Sequence, residues 1–410
     1  MYIEVITMLI REKYLSQIRG FYDSNLIKIL VGIRRCGKSV ILGQIMDELK
    51  NEKNVDDKHI IYINFEFVEY EEYLDYKKLN KYIKDSIQDS KMYYLFLDEI
   101  QNVDKFDKVV NSLRASVKNL SIFITGSNST LLSEELSSDL SGRYVIFNIN
   151  PLSYREYIEL TKKDGMNLES FWDYAKWGGL PNRCEFTDET NIKNYLHSVF
   201  DSIILRDVVK RLKLKDTILF NMILQYLIDT TGREFSAENI CKYLEKEYKK
   251  VSTDTLYQYT DALCKALILR KIYRYDINGK SILKTLNKYY SVDLGIAQIK
   301  NNNPEFKNYV VLENIVLNEL IGRGYEVYIG KTKNGEVDFL ARKDNITKYY
   351  QVAYKLDGVD KEDTIQREFG AYKYIEDNYP KYVISLDEID YSRDGVIHLN
   401  LLEFLLNDNV

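Results

Sequence analysis

The sequence is poor in the residues that build metal centres and disulfides: its 410 residues include 4 Cys and 3 His. The cysteines are far apart and form no C-x-x-C pair, so we expect neither a zinc site nor a disulfide framework. Free thiols are typical of a reducing compartment, which favours a cytoplasmic protein. No run of about 18 apolar residues occurs, and Glu4 interrupts the short apolar N-terminus. We therefore expect no membrane span, no membrane partner and no signal peptide.

A strong charge of either sign is also lacking, since the net charge is −5 at pH 7. This value predicts no global attraction to nucleic acid or to an anionic membrane, so any such contact has to be local. Hydrophobic residues make up 45% and charged residues 29%, which is ordinary for a globular protein. Because 410 residues exceed the size of one common core, we expect two or three domains.

The clearest motif follows an apolar run, Ile27 to Val31, that predicts a buried strand. The next eight residues, Gly32 to Ser39, read G-x-x-x-x-G-K-S and open a helical pattern. The glycines permit a sharp turn that aims backbone N–H groups at an anion, and the helix start adds its positive dipole end. We therefore predict an ATP site in which Lys38 reaches the β- and γ-phosphates and Ser39 ligates Mg²⁺. The loop residues expected to contact ATP are Gly32, Arg34, Arg35, Cys36, Gly37, Lys38, Ser39 and Val40.

A second signal is an apolar strand that ends in two acids, Met92 to Glu99. Such a strand is common alone, but sixty residues after the lysine of a phosphate loop it is specific. It predicts that Asp98 holds Mg²⁺, directly or through water, and that Glu99 is the general base. An earlier strand, His59 to Glu66, also ends in an acid. Glu66 either faces the nucleotide or is an ordinary loop acid.

Two further strands, Ser121 to Asn128 and 145–149, complete the first domain. Together with P-L-S-Y-R-E-Y at 151–157 and G-G-L-P at 178–181, these motifs resemble a family of prokaryotic AAA-type ATPases. Members pair an N-terminal ATPase with a C-terminal domain of unknown function. The resemblance implies ATP binding and hydrolysis, and it leaves a ring-shaped homo-oligomer open. It also implies a polar sensor at Ser127 or Asn128. Arg143 is expected to contact the γ-phosphate, in cis or from a neighbouring subunit; the alternative is a surface salt bridge.

Residues 156–211 predict a helical lid, and residues 212–300 predict a winged helix. Apolar positions recur at helical spacing, Ser236 and Ser252 stand where N-caps belong, and a hairpin pattern flanks Asn278-Gly279. Residues 236–284 hold ten Lys or Arg and six Asp or Glu, a modest local excess of positive charge. This excess favours DNA contact, while the alternative is a winged helix that packs against a protein partner. The lysines expected at DNA are Lys249, Lys250, Lys280 and Lys284.

The order of elements in residues 301–410 resembles the core of restriction-endonuclease-like domains. Working members need a helix Glu, a strand Asp and an acid-x-Lys on the next strand. Glu313 or Glu319 and Asp338 fill the first two positions, but the third reads Gln351-Val352-Ala353. With a neutral amide and no lysine there, we predict that the domain is not a working nuclease.

The sequence thus predicts an α/β chain: an AAA-type P-loop ATPase core at 1–155, a helical lid, a winged helix, and a small α/β restriction-endonuclease-like domain. The leading function is Mg²⁺-dependent ATP hydrolysis that controls the C-terminal domains, with DNA as the candidate target. The first alternative is an ATP-bound switch with negligible turnover that docks a protein partner. The second alternative is an ATP-dependent nuclease.

Overall fold

The computed structural model describes residues 9–127, 142–209, 216–301, 308–333, 335–357 and 361–407. The chain divides into two compact units, Met1–Asn150 and Pro151–Val410. Within the described residues, no helix is both apolar enough and long enough to cross a lipid bilayer.

The first unit is built on a parallel sheet of five strands in the order β2-β3-β4-β1-β5. Every residue of β1, β3 and β4 is buried, as expected for central strands of a parallel sheet covered on both faces. The elements are α1 (Glu12–Arg19), β1 (Ile27–Val31), α2 (Lys38–Asn51), β2 (Ile60–Asn64), α3 (Tyr76–Ser86), β3 (Tyr93–Asp98), α4 (Phe106–Ser116), β4 (Leu120–Gly126) and β5 (Tyr144–Asn148).

This strand order decides where the functional residues meet. Because all five strands are parallel, their C-terminal ends lie along one edge of the sheet. β4 lies between β1 and β3, so the loop after β1, the acids after β3 and Ser127 after β4 come to the same stretch of that edge. The strands predicted from the apolar runs are all present, with ends that differ by one or two residues.

The second unit contains a mixed sheet of seven strands in the order β12-β11-β10-β9-β8-β6-β7. The described elements are α5 (Tyr154–Thr161), α6 (Leu168–Trp177), α7 (Glu189–Ile203), α8 (Thr217–Asp229), α9 (Ala237–Glu247), α10 (Thr253–Lys265), β6 (Leu269–Asp276), β7 (Ser281–Ser291), α11 (Leu294–Lys300), α12 (Asn308–Gly322), β8 (Glu326–Lys331), β9 (Glu336–Lys343), β10 (Ile346–Val352), α13 (Lys361–Gly370), β11 (Lys381–Ser385), β12 (Val396–Asn400) and α14 (Leu401–Leu406).

The helices and hairpin predicted between 217 and 286 are present in the expected order, and the second hairpin strand extends to Ser291. Ser236 accepts a hydrogen bond from the Asn239 N–H and Ser252 accepts one from the Thr255 N–H, so both are N-caps. The hairpin does not stand alone as a wing, because β6 pairs in parallel with β8. The predicted wing and the last segment therefore share one sheet across the boundary expected at 300/301.

The G-G-L-P segment has a structural role in this unit. Gly178 has φ of 71°, and a Cβ there would lie 2.4 Å from a carboxylate oxygen of Asp293. The N–H of Gly179 donates to the same carboxylate at 2.8 Å, and a Cβ on Gly179 would lie 2.2 Å from the Leu152 carbonyl oxygen. Asp293 also caps α11 by accepting from the Ile296 N–H. The two glycines thus let the end of α6 approach the start of α11.

Candidate nucleotide-binding site

The loop after β1 has the backbone shape that an anion site requires. Arg35 has φ of 66° and Gly37 has φ of 100°, both in the left-handed region, and Gly37 is the N-cap of α2. Left-handed residues between helical ones turn successive N–H groups toward one concave surface. The first turn of α2 starts at Lys38, so its unpaired N–H groups and dipole point at the same place. Ser39 is exposed there and Val40 is half-buried.

Gly32 is required by close packing rather than by φ. A Cβ at this position would lie 2.2 Å from the Ile149 carbonyl oxygen and 2.7 Å from Cys36 Sγ. Cys36 is buried under the loop, where its thiol donates to the Ile149 carbonyl at 3.4 Å. Burial raises the pKa of the Cys36 thiol, which keeps it protonated beside the phosphate-binding backbone.

Lys38 is buried and makes its contacts inside the loop. Its ammonium donates to the carbonyls of Gly32 at 3.0 Å and Ile33 at 3.3 Å, and it lies 3.6 Å from Glu99 Oε1. The cation predicted to face the phosphates and the acid predicted to act as base are therefore an ion pair in this structure. Arg34, on the outer side of the loop, pairs with Glu66 at 3.3 Å. This contact places Glu66 beside the loop.

Asp98 is fully buried, and three neutral donors hold its carboxylate. Thr125 donates to Oδ1, while the Tyr62 hydroxyl at 3.1 Å and the Asn64 amide at 3.2 Å donate to Oδ2. The Thr125 hydroxyl also accepts from the Glu99 N–H at 2.9 Å. Such a network orients an ionised carboxylate without a cation of its own, which suits an oxygen ligand for Mg²⁺. Sequence reasoning missed Tyr62, Asn64 and Thr125, because polar residues inside apolar strands carry no motif.

Glu99 lies in an unusual backbone conformation for a non-glycine residue, with φ of 56° and ψ of 45°. A left-handed side-chain-bearing residue costs roughly 1–2 kcal/mol, and such strain is concentrated at functional sites. The turn directs the carboxylate back to Lys38 and to Gln101, whose amide donates to Glu99 Oε2. Gln101 also donates to Ser127 Oγ at 3.3 Å. Ser127, fully buried at the end of β4, is therefore linked to the base; Asn128, the other predicted sensor, lies outside the described residues.

Arg143 is not brought to this site, which corrects the expectation that it acts there within its own chain. It precedes β5, and its carbonyl accepts from the N–H of Ile27 at the start of β1. The phosphate loop follows the other end of β1. The five residues of β5 (Tyr144–Asn148) lead from Arg143 to that other end, a span of about 16 Å. Its guanidinium instead donates to the Asn111 side chain on α4 at 3.4 Å. A role from a neighbouring subunit stays a prediction.

In the second unit, two of the predicted nuclease positions share a buried polar cluster. Glu313 accepts from the Tyr290 hydroxyl and lies 4.0 Å from the ammonium of Lys288, which also pairs with Glu336. Burial, with the neighbouring Glu313 carboxylate, raises the pKa of Asp338 well above its usual range. No group of three or more His, Cys, Asp or Glu suited to a metal ion occurs among the described residues.

The other predicted nuclease positions lie as follows. Glu319 pairs with Arg323 at 2.8 Å on its own helix and does not join the cluster. Gln351, at the position of the missing acid, donates to Glu368 at 2.9 Å and accepts from the N–H of Asp338 at 3.2 Å. Ala353 is buried. The lysine that pairs with Glu313 and Glu336 is Lys288 from β7, and no sequence pattern connects Lys288 to these acids.

The four lysines predicted at DNA are all exposed, but they are not equivalent. Lys249 forms an ion pair with Asp216, the N-cap of α8, which raises the pKa of Lys249. The exposed face of α10, the helix that Ser252 caps, carries Asp254 and Asp261, and its Lys265 pairs with Asp261 at 2.7 Å. The positive charge of this region is therefore weaker at α10 than its composition indicates.

The parallel sheet, the phosphate loop and the acids after β3 define an AAA-type P-loop domain. Residues 24–158 match the model of a family described as "AAA domain", and residues 168–305 match one described as "Domain of unknown function (DUF8612)". An uncharacterized protein of Haemophilus influenzae is 37% identical over 407 residues, covering 97% of this chain and 99% of that protein. One of Methanocaldococcus jannaschii is 32% identical over 388 residues, covering 90% and 83%. The chain belongs to the family that these proteins form, whose N-terminal part is the AAA domain.

Two solved structures are also similar to this chain. A Walker-type ATPase of Pyrococcus abyssi aligns with a TM-score of 0.48 at 16% identity, covering 72% of this chain and 96% of that one. AMPPCP-bound DnaA from Aquifex aeolicus aligns with a TM-score of 0.30 at 14% identity, covering 61% and 85%.

Proposed function

We propose that this protein binds ATP with Mg²⁺ and hydrolyses it, and that its nucleotide state controls the C-terminal segments. The observation that carries the proposal is the 3.6 Å separation of Lys38 Nζ and Glu99 Oε1. Hydrolysis needs a cation that binds the γ-phosphate and a carboxylate that activates the attacking water, and both have to be within reach of the same phosphate. A purely structural phosphate site needs the cation but not the acid.

The residues of the loop and of the two strand ends have different roles in binding and hydrolysis. Loop N–H groups and Lys38 bind the β- and γ-phosphates, for which Lys38 exchanges its contacts with the loop carbonyls and Glu99. Glu99 then takes a proton from the attacking water. Ser39 and Asp98 would hold Mg²⁺ through their oxygen atoms, and the ion would neutralise charge that develops on the phosphates. Tyr62, Asn64 and Thr125 keep Asp98 oriented.

The test is steady-state phosphate release from ATP by the purified full chain. We expect turnover in Mg²⁺ and its loss when EDTA removes the ion. ATP binding measured by calorimetry on the same preparation separates the alternatives. Binding without turnover would support the ATP-bound switch that docks a protein partner, and would reject the hydrolysis proposed above.

A second function is supported by the helix order and capping between 217 and 265 and by the exposed lysines of the hairpin region. We infer that this segment, as a winged helix, binds DNA weakly through phosphate contacts. The acids on α10 disfavour entry of this helix into the major groove, because acidic side chains repel the phosphates that border it. We therefore expect the lysines to contact DNA phosphates rather than base edges. A protein partner is the alternative for the same surface.

A further inference from the structure

We infer that Gln101 is a positioning residue for hydrolysis, which fixes the Glu99 carboxylate from the side opposite Lys38 and connects it to Ser127. The inference deepens the proposed ATP hydrolysis and rests on it. Gln101 is not among the residues predicted to contact ATP, Mg²⁺ or the attacking water.

The contacts around Glu99 are divided between two partners. Lys38 lies at Oε1, and the Gln101 amide donates to Oε2. Phosphate binding takes Lys38 away from Oε1, which frees that oxygen for water. Gln101 then remains as the described side chain whose hydrogen bond fixes the carboxylate. A general base has to be held within hydrogen-bond reach of its proton, so this remaining contact determines how well Glu99 is aimed.

The orientation of the Gln101 amide follows from its neighbours. An ionised carboxylate only accepts hydrogen bonds, so the NH₂ group has to face Glu99. The same NH₂ group reaches Ser127 Oγ at 3.3 Å, and the Gln101 carbonyl is left buried without a donor among the described residues. A buried acceptor without a partner is unfavourable. The amide orientation is therefore fixed by the hydrogen bonds that its NH₂ group donates to Glu99 and Ser127, because its carbonyl accepts none within the described part of the chain.

The hydrogen bond from Gln101 to Ser127 connects the end of β4 to the residues that hold Glu99. β4 lies between the strand that precedes the phosphate loop and the strand that precedes Glu99. Ser127 is fully buried at its end, and Thr125, two residues earlier, bonds both Asp98 and the Glu99 N–H. Through Gln101 the end of β4 is thus linked to the base side chain as well as to its backbone.

The test compares Gln101→Met with the parent. Methionine keeps the length and packing of the side chain but donates no hydrogen bond. Because a misplaced general base lowers the rate, we expect kcat for phosphate release to fall roughly 10- to 100-fold, with ATP affinity by calorimetry unchanged. Asn102→Ala is the matched control, because Asn102 is exposed in the same turn and its side chain donates to the Phe65 carbonyl rather than to Glu99. Its backbone N–H donates to the Glu99 carbonyl at 3.1 Å, and alanine retains that hydrogen bond. We expect this control to retain the parent kcat.

A double-variant cycle tells positioning from a general structural effect. If Gln101 acts through Glu99, adding Gln101→Met to Glu99→Gln should lower kcat no further. A parent-like kcat in Gln101→Met, an equal loss in the Glu99→Gln background, or a parallel loss of ATP affinity would each overturn the inference. Parent protein that binds ATP without releasing phosphate would overturn the proposed function and this inference together, whereas active parent with an unaffected Gln101→Met variant would overturn only the role of Gln101.

Discussion

At the residue scale, the Lys38 ammonium contacts three oxygen atoms, which belong to the carbonyls of Gly32 and Ile33 and to the Glu99 carboxylate. These contacts keep a buried ammonium satisfied, and they also have to be exchanged when phosphate binds. The free energy of ATP binding therefore contains the difference between phosphate oxygens and these internal partners, not the full value of a new ion pair.

Replacing Lys38 with Ala removes the main phosphate-facing cation. Hydrogen bonds to charged groups contribute about 1.5–3 kcal/mol, so we expect ATP affinity to fall by roughly 10- to 100-fold. Calorimetric titration of ATP in Mg²⁺ measures the change, with Lys50→Ala at the far end of α2 as the control. Unchanged affinity in Lys38→Ala would remove this residue from the ATP site.

Lys28 is a buried lysine inside β1, and it makes stability depend on pH. Its ammonium donates to Ser121 Oγ at 2.8 Å and to the Ser24 carbonyl at 3.1 Å, and it lies 4.5 Å from the centre of the Phe123 ring. The charge of Asp23 opposes the effect of burial, because it favours the protonated form of Lys28. Burial lowers the pKa of Lys28 to about 7, against an ordinary value of 10.5.

A lowered lysine pKa means that the unfolded chain binds the extra proton between about pH 7 and 10.5. The contribution of Lys28 to the free energy of unfolding should therefore rise with pH across this window, by about 1.4 kcal/mol per unit at most. Lys28→Met removes the titration while keeping the volume, so we expect the parent to gain stability relative to this variant from pH 7 to pH 9. Urea unfolding at several pH values measures the difference. If the free energies of unfolding of the parent and of Lys28→Met change in parallel with pH, the lowered pKa assigned to Lys28 is wrong.

Residue types in motifs were predictable from sequence, but their neighbours were not. The spacing of Lys38, Asp98 and Glu99 placed them at one sheet edge because parallel strands impose it. Arg143, expected from the family resemblance, lies at the opposite edge in its own chain, since it precedes a strand of this parallel sheet. The donors to Asp98 come from three-dimensional register, which a single sequence does not encode locally.

At the scale of elements, the capped helices and the hairpin of the second unit followed from local signals. Ser236 and Ser252 are N-caps because their hydroxyls satisfy the first N–H groups of α9 and α10. The pairing of β6 with β8 had no such signal, because parallel pairing between distant strands depends on the whole sheet. The assignment of this segment as a winged helix stays a prediction.

If this segment binds DNA, its affinity should fall steeply with salt, because phosphate contacts release counterions. Lys249→Glu/Lys250→Glu should weaken binding, but Lys249→Glu also places a like charge beside Asp216. Lys280→Glu/Lys284→Glu in the hairpin region avoids that conflict, and we expect it to reduce the slope of log K against log salt by about one per lost contact. Fluorescence anisotropy with duplex DNA measures both.

The matched control for this series is Lys81→Glu/Lys84→Glu on α3, which makes the same change in net charge on exposed residues of the first unit. Equal DNA affinity in the parent and in both variants of the predicted winged helix would favour a protein partner for this surface.

At the scale of the whole molecule, we still expect no nuclease activity from the last segment. Gln351 and Ala353 occupy the positions where an acid and a lysine are needed, and Lys288 is engaged by Glu336 and Glu313. Purified protein should leave linear, circular and single-stranded DNA intact in Mg²⁺ or Mn²⁺, with and without ATP. Cleavage that disappears in Asp338→Ala would show that Lys288 or another group replaces the missing lysine.

The central claim is that Glu99 makes this ATP site hydrolytic, and phosphate release by the parent and by Glu99→Gln tests it most directly. The amide keeps the shape of the side chain but cannot act as a general base. We expect the parent to release phosphate in Mg²⁺, with or without DNA, and Glu99→Gln to bind ATP while turnover falls on the order of 10²- to 10⁴-fold. Hydrolysis by Glu99→Gln at the parent rate would contradict the claim. Glu66, whose ion pair with Arg34 places it beside the phosphate loop, would then be the next candidate for the general base.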